Sequence, residues 1–409
     1  MSNSASQVEP QSRDQFWFFL VMAYLFIEYG RPMDEFGFLK NLRIAMIVDL
    51  LLIFSLLGRG NFQFLFDNRQ TKIMWFFILL LSSYIPFAVN NRYAYNQTLD
   101  VLLYMPFFLS AIVYIRSFDR LKKFFNLWIL LMVYLSIKGF LGKGVAGSSF
   151  LADENDFSLL VNMMIPFGFF LFMYEKKFIK RMIYLFSALL GVVNVVVSFS
   201  RGGFVGLVAV LTFMWLFSPR KILSLFLVAI LVLALGSVAD QKYWSRIETA
   251  MHPEAGTAKE RIDSWKAGWS MFLDNPFGVG GNNFQIRFPE YQPKDMPRVM
   301  WGRAAHSLYF TLLPELGILG IILYSVLFFY NIRDLFWIKR LKGEFHDDLR
   351  YSYYLSLAFF VSFTGYFASG TFISVLYYPH YFYMTAMIVV TRKLAEERLR
   401  SIPSGIIDS

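Results

Sequence analysis

DQKYWSRIETAMHPEAGTAKERIDSWKAGWSMFLDNPFGVGGNNFQIRFPEYQPKDMPRVMWGR, residues 240–303, is a polar interval between blocks of apolar sequence, and the rest of the chain is arranged around it. It carries nine of the 39 Lys and Arg residues, and four tryptophans (Trp244, Trp265, Trp269 and Trp301) that a disordered linker would not need. Thr257-Ala258-Lys259-Glu260 reads as a capping box, with Thr257 covering an orphan N–H and Glu260 reaching back. The helix it opens is expected from about Ala258 to Phe272, with Ile262, Trp265, Trp269 and Phe272 on one face. Asp274-Asn275-Pro276 stops it, and Gly278, Gly280 and Gly281 permit a tight path beyond. The interval is therefore expected to be a folded element outside the membrane. It ends in Ala304-Ala305-His306-Ser307, which leads straight into an apolar run.

The surrounding chain sets the class. Its 409 residues are 56% hydrophobic and 19% aromatic, with mean hydropathy +0.47. This is too apolar for a soluble domain of that size and points to a polytopic membrane protein. No cysteine is present, so disulfides, thiolate metal sites and cysteine nucleophiles are excluded. The formal charge of +10 suits cytoplasmic anchoring in a membrane protein and is not read as a nucleic-acid footprint. The first 15 residues carry no cleavable signal pattern, so the first span is expected to stay in place.

A helical span needs about 20 mostly apolar residues. Twelve candidates fit: about 16–30, 42–58, 73–89, 98–115, 124–142, 157–174, 181–199, 203–217, 222–239, 305–330, 351–369 and 372–391. The expected organisation is a tail (1–15), spans one to nine (16–239), a large loop (240–304), spans ten to twelve (305–391) and a second tail (392–409). With both tails cytoplasmic, the cytoplasmic segments hold 23 Lys and Arg residues and the short outer loops about seven. The remaining nine lie in the large loop, which is long enough to escape the charge rule. The fold expected is thus an all-α integral membrane protein with about twelve transmembrane helices. Its large, partly helical loop between spans nine and ten faces outward.

Three positions converge at that outer boundary. Arg201 lies at the break Ser200-Arg201-Gly202-Gly203, Arg261 in the first turn of the loop helix, and His306 at the start of the tenth span. Singly, each has an ordinary reading: a snorkelling arginine, a solvated charge, a structural hydrogen bonder. Together, two guanidiniums and an imidazole suit a diphosphate with a reacting carbon beside it, because the guanidinium fork matches phosphate oxygens. Arg303 and Arg287 are further candidate phosphate contacts. Glu28, Asp49 and Glu315 are carboxylates within spans, where burial is costly, and they count as functional candidates or as partners of Arg43, Lys138 or Arg201. Ala152-Asp153-Glu154-Asn155-Asp156 has no metal-ligand spacing and reads as a solvated turn. No P-loop or dinucleotide fingerprint is present, which argues against a nucleotide-driven reaction.

The blocks SFSRGGFVGL (Ser198–Leu207), ERIDSWKAGWSMFLDNPFGVGGNNF (Glu260–Phe284) and AHSLYFTLLPELGILG (Ala305–Gly320) resemble the O-antigen ligase and polymerase superfamily of bacterial envelope glycosyltransferases, in the family's order. The resemblance covers about residues 195–325. It implies that an arginine after the seventh span, an arginine in the large loop and a histidine near its end are the working residues, here Arg201, Arg261 and His306. It also implies a glycan donor on undecaprenyl diphosphate and an acceptor that is a glycan, lipid A-core or protein. No metal, nucleotide sugar or other cofactor is implied, and no nucleic acid. The expected activity is a ligase-type glycosyltransferase in the bacterial inner membrane, among membrane lipids, with its site facing the periplasm. A polymerase joining lipid-linked repeats shares these blocks, and Asp49 and Glu28 leave a transporter or flippase as an alternative of another class.

Overall fold

The computed structural model describes residues 5–226, 229, 233, 257–294, 302–342 and 346–402. Among these residues the chain is all-helical, with no strand. The principal helices are α1 (Ala5–Gly30), α2 (Pro32–Glu35), α3 (Gly37–Asn41), α4 (Ile44–Leu57), α5 (Arg69–Tyr84), α6 (Asn91–Leu102), α7 (Met105–Tyr114), α8 (Phe118–Leu141), α9 (Glu154–Tyr174), α10 (Phe178–Val197) and α11 (Arg201–Phe217). After the polar interval begins come α12 (Thr257–Asp274), α13 (Phe284–Tyr291), α14 (Leu308–Arg340), α15 (Asp347–Gly370) and α16 (Pro379–Arg400). Among the described residues, five helical stretches are long and apolar enough to cross a membrane: Asn91–Tyr114, Phe118–Leu141, Glu154–Tyr174, Phe178–Val197 and Leu308–Arg340. Ile44–Leu57 and Arg201–Phe217 are apolar but shorter. Length and hydropathy thus establish a multi-pass character without establishing the expected twelve spans.

Several expected boundaries shift for local reasons. The fourth span, read as 98–115, is divided between α6 and α7, because Pro106 in the first turn of α7 lacks the N–H that would continue the ladder. The tenth runs on to Arg340 and is broken at Gly317, whose φ of 59° no helix interior adopts. The twelfth starts at Pro379, after an irregular stretch that closes α15. Of the ninth, only the first residues fall among those described.

The core is built on α9, in which every residue from Phe157 to Tyr174 is buried. It packs against α10, α11 and α15. Close approach of α11 depends on missing side chains: a Cβ at Gly206 would collide with Ser369 and lie 2.6 Å from Asn162 Nδ2. A Cβ at Gly203 would lie 2.5 Å from the Ser158 Cβ. Asn162 Nδ2 uses that proximity, donating to the Gly203 carbonyl at 2.8 Å and to Ser369 Oγ at 3.2 Å. Such interhelical hydrogen bonds fix register where apolar packing alone is permissive. At one end of the bundle Ser158 Oγ donates to Ser198 Oγ (2.7 Å), and Tyr378 donates to Asp156. At the other end, Lys122 (3.0 Å) and Arg398 (2.7 Å) converge on Asp348.

The loop helix α12 spans Thr257–Asp274, close to expectation, but two of its details differ. The Glu260 carboxylate pairs with Arg303, a charge-assisted contact that the capping-box reading did not anticipate. The buried face is Ser264, Ala267, Gly268 and Met271, not the expected aromatic stripe. Small side chains let α12 lie close to α14, where a Cβ on Gly268 would sit 3.2 Å from the Phe310 carbonyl oxygen. Trp265 still docks, stacking on Phe310 at 5.3 Å and 9° and donating from Nε1 to the Ala305 carbonyl at 3.0 Å. Trp269, Leu273 and Phe277 are left exposed.

Candidate active site

The site forms where the starts of α9, α11 and α14 meet the start of α12. Ser200 caps α11 by accepting from the Gly203 N–H at 2.9 Å, and its hydroxyl donates to Asn155 Oδ1 at 2.8 Å. Arg201 therefore begins a helix whose entry is tied to the start of α9. Asp153 caps α9, accepting from the N–H groups of Asn155 (2.8 Å) and Asp156 (3.2 Å). Ser307 caps α14, accepting from the Phe310 N–H at 3.4 Å, and His306 precedes it with φ of 47°. That left-handed backbone is uncommon for a non-glycine residue, and histidine is one of the types enriched there.

These elements bring Arg201, Arg261, Arg303 and His306 into one electrostatic neighbourhood. Arg261 is half-buried, and its pKa is lowered first by burial, then by the positive charges of Arg303 and Arg201. It makes no hydrogen bond or ion pair among the described residues, and its Nε is buried without a partner. Arg303 is paired with Glu260. His306 has its pKa lowered by burial, then by Arg261 and Arg303, with Asp153 acting weakly in the opposite sense. The imidazole is thereby held neutral at ordinary pH, able to accept a proton. A half-buried guanidinium beside two others is costly unless an anion completes it.

Residues 186–325 match the family model described as O-Antigen ligase. The match supports the O-antigen ligase superfamily. All of Arg201, Arg261, Arg303, His306 and Glu315 lie inside the matched region, and the family is glycosyltransferase-like. A comparison with curated proteins returned no match.

The remaining expected residues fall elsewhere. Arg287 is engaged by Glu290 (2.8 Å) and by Asn275 Oδ1 (2.8 Å), and it is not among the charges that perturb Arg261 or His306. Glu315 is buried and holds the glycine loop: it accepts from the N–H groups of Asn282 (2.8 Å) and Phe284 (3.2 Å) and from the Tyr377 hydroxyl (2.6 Å). That loop adds a rung to the broken helix, with Val279 N–H on the Pro314 carbonyl and Gly280 N–H on the Glu315 carbonyl, both at 2.9 Å. Lys138 pairs with Glu35, so it is not the partner of Glu28 or Asp49, and Asp49 Oδ1 is buried without a hydrogen bond.

Sequence reasoning did not connect Asp153 with Arg261 and His306. It belongs to the turn read as solvated and is exposed there, and its negative charge acts weakly on both Arg261 and His306. The available signal was its position as the cap of an apolar span, which fixes it at the same end as Arg201.

Proposed function

We propose that this protein is a membrane glycosyltransferase of the O-antigen ligase type. It moves a preassembled glycan from undecaprenyl diphosphate to an acceptor hydroxyl, such as one on lipid A-core, at the periplasmic face of the bacterial inner membrane. The observation that carries this reading is Arg261: a half-buried guanidinium that makes no ion pair among the described residues, beside Arg201, Arg303 and a neutral histidine.

In the proposed reaction the acceptor oxygen bonds to the anomeric carbon as the bond from that carbon to the diphosphate breaks. His306 takes the acceptor's proton, and the electron pair of the broken bond leaves on the diphosphate. Arg201 and Arg261 stabilise the charge growing there, in a site partly shielded from water. Arg303 contributes to the same field while Glu260 fixes its position. The arriving diphosphate offsets the positive field that depresses His306, so the base gains proton affinity when donor is bound. The exposed Trp269, Leu273 and Phe277 suit a loop helix resting at the lipid–water boundary, where the donor lipid is found.

The test is transfer by the purified full chain from undecaprenyl-diphosphate-linked glycan to lipid A-core, with and without a metal chelator. Transfer insensitive to the chelator is the expected result. Chain extension of the lipid-linked donor without acceptor would establish a polymerase instead. Glycan movement across vesicles with no bond formed would replace the enzyme with a transporter.

A further inference from the structure

A second space lies behind the wall that carries His306. A cavity of about 270 Å³ is bounded by Ala304 and Ala305, by α6, by the glycine loop and by the stretch before α16. It has room for a sugar ring, and two of its lining residues, Asp100 and Gln285, are exposed to solvent. Gln97, Asp100 and Gln285 line it, and none of their side chains makes a hydrogen bond or ion pair among the described residues. Tyr104, Tyr377 and Tyr378 also line it, with their hydroxyls already committed to the Tyr377 carbonyl (3.0 Å), Glu315 (2.6 Å) and Asp156. Committed hydroxyls leave these tyrosines offering ring carbon to the cavity.

We infer that this cavity is a binding subsite for a single uncharged sugar ring, held beside His306. The inference rests on the transferase reading and specifies which part of a substrate enters. Two free amides and a free carboxylate match a ring of hydroxyls, each of which both donates and accepts. Aromatic carbon matches the apolar face of a pyranose. No described Lys or Arg lines the cavity, and Asp100 repels anions, which disfavours both the diphosphate and an acidic sugar there. The diphosphate is assigned to Arg201 and Arg261, whereas the cavity is lined by Ala304 and Ala305, next in the chain to His306. The ring comes from either the donor glycan or the acceptor glycan.

The test is saturation-transfer NMR on the full chain in detergent, with methyl β-glucoside, methyl β-galactoside, N-acetylglucosamine and glucuronic acid as probes. At least one neutral probe should bind and glucuronic acid should not. Asp100→Ala combined with Gln285→Ala should weaken the neutral probe at least tenfold. Asp100→Asn should let glucuronic acid bind, a gain that a misfolded variant cannot produce. Absence of any neutral binding, equal binding of glucuronic acid to the native chain, or indifference to the Asp100 and Gln285 changes would overturn the subsite. Displacement of the probe by undecaprenyl-diphosphate-linked N-acetylglucosamine would assign the ring to the donor, and simultaneous binding would assign it to the acceptor. Neutral-probe binding by a chain that transfers nothing would end the transferase reading and leave the subsite standing.

Discussion

Replacing Glu315 by alanine should do more damage than any single change in the exposed part of the loop. The carboxylate is the common acceptor for two backbone N–H groups, at 2.8 Å from Asn282 and 3.2 Å from Phe284, and for the Tyr377 hydroxyl at 2.6 Å. The tyrosine hydroxyl can turn toward the neighbouring cavity, but the backbone donors are fixed by the glycine turn. An orphaned buried donor costs about 1–3 kcal/mol, so the two backbone groups together put the loss at about 2–6 kcal/mol. Set against a stability of about 5–15 kcal/mol, that is enough to open the loop or unfold the protein. Glu315→Gln keeps one acceptor oxygen and turns an amide N–H toward the other donor, so it should lose about half as much. Tyr377→Phe removes a single hydrogen bond, at about 0.5–1.5 kcal/mol. Glu290→Ala breaks only a half-exposed pair with Arg287 and serves as the control, at about 0–1 kcal/mol. Thermal unfolding in detergent would rank the four variants, and limited proteolysis would report cleavage near Phe277–Phe284. Transfer should fall with the loop, because the loop couples α12, which carries Arg261, to α14, which follows His306. A Glu315→Ala protein that melts with the native one and gains no cleavage site would refute the assignment of this carboxylate as the loop's anchor.

Other outcomes follow from the same geometry. Arg201→Lys keeps the charge but loses the planar fork, so donor binding should still be badly impaired; near-native donor affinity in equilibrium binding would remove Arg201 from the diphosphate. His306→Ala should leave donor binding largely intact and slow transfer by about 10²–10⁴-fold. Because burial and the arginines lower the His306 pKa, kcat/KM should hold below the ordinary histidine value of about 6.5 and fall only at more acidic pH. The acid limb of kcat should lie at higher pH, since bound diphosphate offsets the arginines; coincident limbs, or a limb that survives in His306→Ala, would discard the base assignment. Gly206→Ala should destabilise by about 1–3 kcal/mol through its collision with Ser369 and Asn162, and Ser369→Ala should recover part of that; a neutral Gly206→Ala would disprove the close packing. A reporter active only outside the cytoplasm should work when fused after Asp274 and be silent after Lys342; the reverse would invert the orientation and move the proposed site to the cytoplasm.

The sequence by itself determined the class of this protein and the approximate position of many of its helices. Apolar runs the length of a bilayer leave a chain little choice but helix, because backbone groups in lipid must pair within their own segment. Caps such as Asp153, Ser200 and Ser307 and breaks such as Pro314-Glu315-Leu316-Gly317 are local chemistry, readable from neighbours in the chain. The blocks around Arg201, Arg261 and His306 carried the family resemblance for the same reason. Only the tertiary structure decided what those residues face. Glu260, read as a capping residue, pairs with Arg303, and of the two tryptophans of α12 Trp265 docks while Trp269 is exposed and small residues face α14. Glu315 became the anchor of a loop some thirty residues before it, and Gln97 and Asp100 came to share a cavity with residues nearly two hundred positions later. The turn at Asp153 is exposed, as read, and only the fold sets it near Arg261 and His306, on which its charge acts weakly. Helix formation follows from interactions a few residues apart, whereas burial, pairing and electric field are summed over distances in space that chain order does not record.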